Sequence, residues 1–360
     1  MPNLMEAAVL HAPGDLRIER VPVPSELGPG DALVKVIAAG VCGSDIGRVM
    51  TSGTYNFPTI PGHELAGVVV DLGPAVKTSR IGDRVAVAPL MPCFSCDSCA
   101  RGHYSLCDGY NFLGSRTDGG FAQYVKAPAR NLVRFPDSVG FDEAATVEFT
   151  ATVLHGIQKI DLKAGDAVAV VGVGALGYFA VRFAKLSGAN PVIAIDIDES
   201  KLALARAAGA DICVDAADAD AVEKVRTASG GLGADTVLET AGNNASRSMA
   251  ISIAKKLGPI LAYGSAHGDV VFKPDLFERI IRHELRIVGS WNSYSVPFPG
   301  REWRDIMRFI SEGALTSKPL ISHVLPLGDA PNTFRRLQNR DLGPYNKILF
   351  APNGTKDLSI

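Results

Sequence analysis

From Ala167 onward, six short apolar runs, AVAVVG, PVIAID, DICVDA, DTVLETAG, PILAYG and LRIVGSW, alternate with stretches such as SKLALARAAG, AVEKVRTAS and FERIIRHE. In those stretches the apolar positions recur at helical spacing, whereas the short runs are apolar throughout, as strands buried on both faces are. Strict alternation of strand and helix predicts a parallel sheet covered on both sides, that is, a doubly wound α/β domain. Residues 1 to about 150 have a different texture. DALVKVIAAG, ELAGVVVDLG, DRVAVAPL and FAQYVKAP are β-like patches between Gly and Pro turns and predict a smaller, mostly β domain. After Pro299, EWRDIMRFISEG sets Trp303, Ile306, Met307 and Ile310 on one helical face, a core-facing stripe. The closing APNGTKDLSI is polar enough to predict partial disorder.

Composition narrows the class. A chain of 360 residues with 47% hydrophobic and 21% charged side chains is an ordinary globular balance for about two domains. Its 36 basic and 38 acidic residues leave a net charge of −2, so electrostatics supply no reason for nucleic acid or an anionic membrane as partner. MPNLMEAAVL carries no cationic leader pattern, and no uncharged stretch of about 18 apolar residues occurs, so a cytoplasmic enzyme without a membrane span is expected.

Four of the six cysteines, Cys93, Cys96, Cys99 and Cys107, fall as C-x2-C-x2-C-x7-C. Four thiolates close a zinc tetrahedron and leave no position for substrate, so the cluster predicts a structural zinc rather than a catalytic one. A disulfide-rich lobe or a nucleic-acid zinc module is the alternative; the reducing compartment opposes the first and the acidic balance the second. Cys213, in DICVD, reads as a buried, inert strand thiol.

Within VAVVGVGALGYFAV, Gly172, Gly174 and Gly177 form G-x-G-x-x-G between an apolar strand and an amphipathic run. The first permits a tight turn, the second lets the backbone approach a pyrophosphate, and the third packs helix on strand. Asp196 ends the next strand, where a carboxylate bonds ribose hydroxyls and repels a 2′-phosphate, so NAD is expected over NADP. Asp198 suits a helix cap better. Lys201, one turn on, lies within reach of the adenosine ribose.

A second set of metal-capable residues lies outside the cysteine cluster: Cys42 in GVCGSD, His63 and Glu64 in PGHELAG, and Glu148 in TVEFTATVLHG. Taken together with the cysteine cluster and the glycine turn, these residues make the chain resemble the zinc-dependent medium-chain dehydrogenase/reductases, the alcohol and polyol dehydrogenase superfamily. The resemblance runs over nearly the whole chain through GVCGSD, GHE, the four-cysteine lobe, DGGFAQY and GVGALG. PLMPCFSCDSC, GYNFLGSRTDGGFA and GSWNSYSVPFPGREW are most similar to its sugar-alcohol branch.

The resemblance implies a GroES-like β-rich catalytic domain of residues 1–150 with 299–360, a Rossmann domain of residues 151–298, and an active site in the cleft between them. It implies two zinc ions per subunit, NAD, and a homodimer or homotetramer oxidising a polyol or polyol phosphate; a secondary-alcohol or threonine-type dehydrogenase is the near alternative. A non-catalytic nucleotide-binding protein would lack the Cys42, His63, Glu64 and Glu148 set. Cys42 and His63 are then catalytic zinc ligands, and the third is a carboxylate, Glu64 or Glu148. The familiar alcohol dehydrogenase set is Cys2His; exchanging thiolate for carboxylate gives a harder metal suited to hydroxyl oxygens. Ser44 matches the residue that begins the family's proton relay. Gly47 stands where many relatives have the next, histidine member, which leaves water or Glu148 as the exit. Asp45 reads as holding the loop, and His155 as a helix-face residue. Arg48 and Arg116 are candidates for a substrate phosphate, with surface ion pairing as the alternative. Asn292, Ser293 and Tyr294 fall where relatives line the nicotinamide and substrate cleft.

Overall fold

The computed structural model describes residues 2–266, 268–356 and 358. The chain divides into two compact units, one running to Phe149 and resuming at Tyr294, the other Thr150–Ser293. The return falls at Tyr294, before the expected 299, for a packing reason. Tyr294 is buried, stacks on Phe298 at 5.8 Å, lies 6.1 Å from Trp303, and its hydroxyl accepts the Leu90 N–H at 3.0 Å.

The first unit is β-rich. A hairpin joins Leu4–Ala12 to Asp15–Pro22, and a seven-stranded sheet runs in the order Ile321–Pro326, Lys347–Ala351, Asp31–Gly40, Glu64–Leu72, Arg84–Val87 and Leu132–Arg134, with Tyr124–Pro128 also on Asp31–Gly40. Its core gathers Leu10, Leu33, Leu65, Phe121, Phe334 and Phe350, with Phe121 edge-on to Phe350 at 5.2 Å. The helix Arg301–Ser311 buries Trp303, Ile306, Met307 and Ile310, as its periodicity predicted. Of the closing segment, for which partial disorder was expected, residues 351–356 and 358 are described. Asn353 donates to the Val36 and Gln123 carbonyls, and the buried Leu358 takes the Asp142 N–H on its carbonyl. Chain-end polarity is met here by backbone partners; residues 357, 359 and 360 lie outside the described residues.

The second unit is the doubly wound domain. Its six strands, Val168–Val171, Val192–Asp196, Ile212–Asp215, Thr236–Glu239, Pro259–Ala262 and Arg286–Gly289, are all parallel, and the first lies centrally between the second and the fourth. This 3-2-1-4-5-6 order is that of a Rossmann fold, which binds dinucleotides at the point where strand order reverses. Cys213 sits in the third strand as expected, but it is half-buried rather than buried, because that strand is the sheet edge. Burial still pushes its thiol up, consistent with an inert residue. Among the described residues no helix is long and apolar enough to cross a membrane.

Candidate metal centre and nucleotide site

Sheet register assembles the first site. Gly40 pairs with Glu64 across neighbouring antiparallel strands, so Cys42, just beyond one strand, meets His63, just before the other. One donor atom each from Cys42, His63 and Glu64 lies within 4.8 Å of the others. His63 and Glu64 are buried and Cys42 is half-buried, so the cluster keeps a solvent-facing side. His63 Nδ1 faces Asp45 Oδ1 at 3.2 Å, which turns Nε2 towards the other donors. Asp45 is fully buried; its Oδ2 accepts the Cys42 N–H at 3.1 Å, and Arg48 donates to Oδ1 at 3.3 Å. Burial opposes its charge, yet His63 and Arg48 hold its carboxyl below the usual range. Asp45 therefore orients the His63 ring as well as tying the loop through the Cys42 N–H. Burial likewise opposes the charged form of His63, and Asp45 and Cys42 outweigh it, holding the imidazole well above its ordinary range.

Glu64 is fully buried. Lys347 Nζ pairs with its Oε2, and Oε1 has no partner. An orphaned carboxylate oxygen beside a thiol and an imidazole is costly unless a cation satisfies it, so the donor set fits zinc, with a Cys-His-carboxylate complement. Glu148, buried at the start of the helix Val147–Ile157, is pushed up to about 7, chiefly by burial, with His63 opposing and Glu64 adding. Ser44 Oγ donates to Cys42 Sγ at 3.2 Å and accepts from Arg48 at 3.0 Å.

The four-cysteine lobe is assembled as expected. Its sulfurs lie within 4.8 Å of one another, Cys93 and Cys99 at 4.0 Å, close to the edge of about 3.8 Å in a tetrahedron of Zn–S bonds near 2.3 Å. None is in a disulfide. Hydrogen bonds from Ser95 and Cys96 bring Cys93 down to about 6, while burial, then Cys96 and Cys107, push Cys99 up to about 12. Packed sulfurs cannot all carry charge unaided; a divalent cation lets them, so this lobe also fits its metal.

In the second unit Gly172 takes φ +86° and Gly174 caps the helix Ala175–Leu186. A Cβ on Gly177 would collide with the Gly172 carbonyl, the close helix–strand contact its position requires. Gly172, Gly174, Asp196 and Lys201 line one cavity of about 440 Å³ with Thr240 and Asn243. Asp196 Oδ2 accepts the Val173 N–H at 2.6 Å and Oδ1 those of Ile197 and Asp198 at 2.8 and 3.1 Å, so the carboxylate is fixed against the glycine turn. Asp198 caps the helix Glu199–Ala208 through Ser200, as read from sequence.

Two family models match the chain, the alcohol dehydrogenase GroES-like domain over residues 28–137 and the zinc-binding dehydrogenase over residues 175–312. Galactitol 1-phosphate 5-dehydrogenase of Escherichia coli (strain K12) is 34% identical over 89% of this chain and 92% of its own. The chain belongs to the zinc-dependent alcohol dehydrogenase family. Sorbitol dehydrogenase of Bacillus subtilis (strain 168) is 31% identical to this dehydrogenase, over 98% of this chain and 99% of the relative. A crystal structure of galactitol-1-phosphate dehydrogenase from Escherichia coli superposes with TM-score 0.90 at 32% identity, covering 97% of this chain and all of that one. A Sinorhizobium meliloti 1021 protein solved with NADP gives TM-score 0.89 at 31% identity, over 98% and 100% of the two chains.

The substrate candidates of this family member are placed less uniformly. Arg48 spends its guanidinium on Ser44 and Asp45, which contact Cys42 and His63. Arg116 lies between Tyr55 and Tyr110, 4.2 and 4.3 Å from their ring centres, and donates to the Tyr110 carbonyl. Asn292 adopts left-handed backbone at φ 54°. Tyr294 is buried, its hydroxyl already used by Leu90. His155 lies in the last turn of its helix. Sequence reading passed over Lys347, although a single lysine opening the otherwise apolar run KILFA was a visible signal.

Proposed function

We propose that this chain is an NAD-dependent, two-zinc polyol or polyol-phosphate dehydrogenase, oxidising a secondary hydroxyl to the ketone. The observation that carries the reading is the donor set itself: Cys42, His63 and a Glu64 oxygen with no protein partner, in a family whose similar members here are named for galactitol 1-phosphate and sorbitol. When bound, zinc supplies Lewis acidity that lowers a substrate hydroxyl's pKa by several units, and nicotinamide accepts the hydride.

The chain's own residues supply placement. Asp45 fixes the His63 ring, and Glu64 rather than Glu148 is the third ligand, because it is Glu64 that lies within ligand distance of Cys42 and His63. Ser44 Oγ meets the substrate hydroxyl, and Glu148 accepts its proton in place of the relay member that Gly47 lacks. Asp196, held by three N–H groups at the glycine turn, accepts the ribose hydroxyls and disfavours a 2′-phosphate. A structural neighbour carries NADP, so the preference rests on this side chain. The outer strand Arg286–Gly289 leaves an open edge with Ile287 52% exposed, which supports pairing of two copies there.

The deciding experiment is a reduction screen with NAD and NADP over free and 1-phosphorylated C4 to C6 polyols, read as ratios of kcat/KM. Turnover restricted to threonine or simple secondary alcohols overturns the polyol reading, and equal use of NADP overturns the cofactor reading.

A further inference from the structure

Lys347 is a buried ammonium in a strand of five buried residues, KILFA, and burying such an ion is costly unless its donors are met. Three surroundings meet them. Nζ donates to the Val41 carbonyl at 3.0 Å, pairs with Glu64 Oε2, and lies 4.4 Å from the centre of the Phe149 ring. An ammonium has three hydrogens, and the carbonyl, the carboxylate and the aromatic face use all of them.

Gly40 opens the path. It pairs with Leu349 on one side and Glu64 on the other, in the row that separates Lys347 from the carboxylate. A Cβ at Gly40 would run into Glu64 Oε2 and come within 3.2 Å of Lys347 Cε. The missing side chain is what lets the lysine touch the carboxylate.

We propose that Lys347 is a positioning residue that claims one oxygen of Glu64, so that the carboxylate offers the metal its other oxygen alone. This rests on the reading of Glu64 as the third ligand. A free carboxylate can give both oxygens to one ion and fill the position a substrate hydroxyl needs. With Oε2 tied to Lys347 and Oε1 partnerless, the donor set stays at three protein atoms and one position remains open. Lys347 also sets one positive charge against the incoming cation, so it weakens metal binding while it keeps the site open.

The sign of that effect separates this role from simple packing. Lys347→Met is expected to bind zinc at the catalytic site at least about tenfold more tightly in chelator competition, whereas loss of a purely structural lysine loosens the site and weakens binding. With zinc in the cysteine lobe and cobalt in the catalytic site, the variant's visible band is expected to lose the intensity of four-coordinate cobalt, and Lys347→Arg to retain it. Unchanged or weaker zinc binding with an unchanged cobalt band in folded K347M overturns the proposal. Glu64→Gln is the control for the underlying reading: if it leaves zinc binding unaltered, Glu64 is not a ligand, and that reading fails with this one. If K347M does not fold, the infrared difference spectrum of wild-type protein, zinc-loaded minus chelated, decides. The Glu64 band, assigned by its absence in E64Q, is expected to show the wide splitting of a carboxylate bound through one oxygen; the narrow splitting of two-oxygen binding overturns the proposal.

Discussion

Asp45 Oδ1 stands 3.2 Å from His63 Nδ1, and this contact fixes which nitrogen of the ring faces Cys42 and Glu64. Removing the charge while keeping the shape, Asp45→Asn, is expected to weaken zinc binding at this site by about 10- to 100-fold, as loss of a ligand's hydrogen-bond partner does elsewhere. Chelator competition on the purified variant measures it, with zinc in the cysteine lobe as the internal control.

The lobe gives a separate stoichiometric outcome. Cys107→Ser is expected to lower zinc from about two to about one per subunit and to expose the segment between Cys93 and Cys107 to proteases. Metal analysis and limited proteolysis check it; a variant retaining both ions would mean that three sulfurs suffice.

Asp196 needs a gentler substitution than removal, because its oxygens hold three backbone N–H groups at the glycine turn. Asp196→Asn keeps the shape and drops the charge, and is expected to raise the NADP-to-NAD ratio of kcat/KM by roughly tenfold, worth about 1.4 kcal/mol. Steady-state kinetics with both nucleotides decide it.

Tyr294→Phe is expected to act on stability and not on substrate affinity. The change leaves the buried Leu90 N–H without its acceptor, a loss of about 1–3 kcal/mol. Denaturant unfolding should show the cost while KM stays constant.

Asp235 ties the second unit's stability to pH. Burial raises its carboxyl, but Lys255 and the Ala167 N–H prevail and hold it below the ordinary range. A lowered folded-state pKa means that the contribution is complete above the unfolded value, about 3.9, and fades as pH falls through the folded one. Asp235→Asn is therefore expected to unfold more easily than wild type at pH 7, with the gap closing as pH falls below the unfolded carboxyl range, as followed by thermal melts at falling pH.

The second unit was legible almost strand by strand because parallel strands covered on both faces leave unbroken apolar runs. The first unit was legible in its central strands and not at its margins. The strands Ile321–Pro326 and Lys347–Ala351 join the sheet through Asp31–Gly40, some three hundred positions earlier, and local pattern does not carry that pairing. The candidate metal-binding residues were legible as residue types, while the choice of which carboxylate lies beside Cys42 and His63 was not. That choice depends on register: Gly40 opposite Glu64 brings one carboxylate into the donor set, and Glu148 enters from a helix far along the chain. Lys347 was hidden for a similar reason, since its partners are set by sheet order.

Val41 and Lys347 meet although 306 positions separate them. At translation rates of about 5–20 residues per second, a nascent chain carries Cys42, His63 and Glu64 for roughly 15–60 s before the lysine exists. The cysteine lobe needs only neighbouring residues and can take its ion early in synthesis. The Glu64 site waits for the returning strand, so a chain cut short before residue 347 has the four sulfurs of the lobe but lacks the ammonium that ties up one oxygen of Glu64.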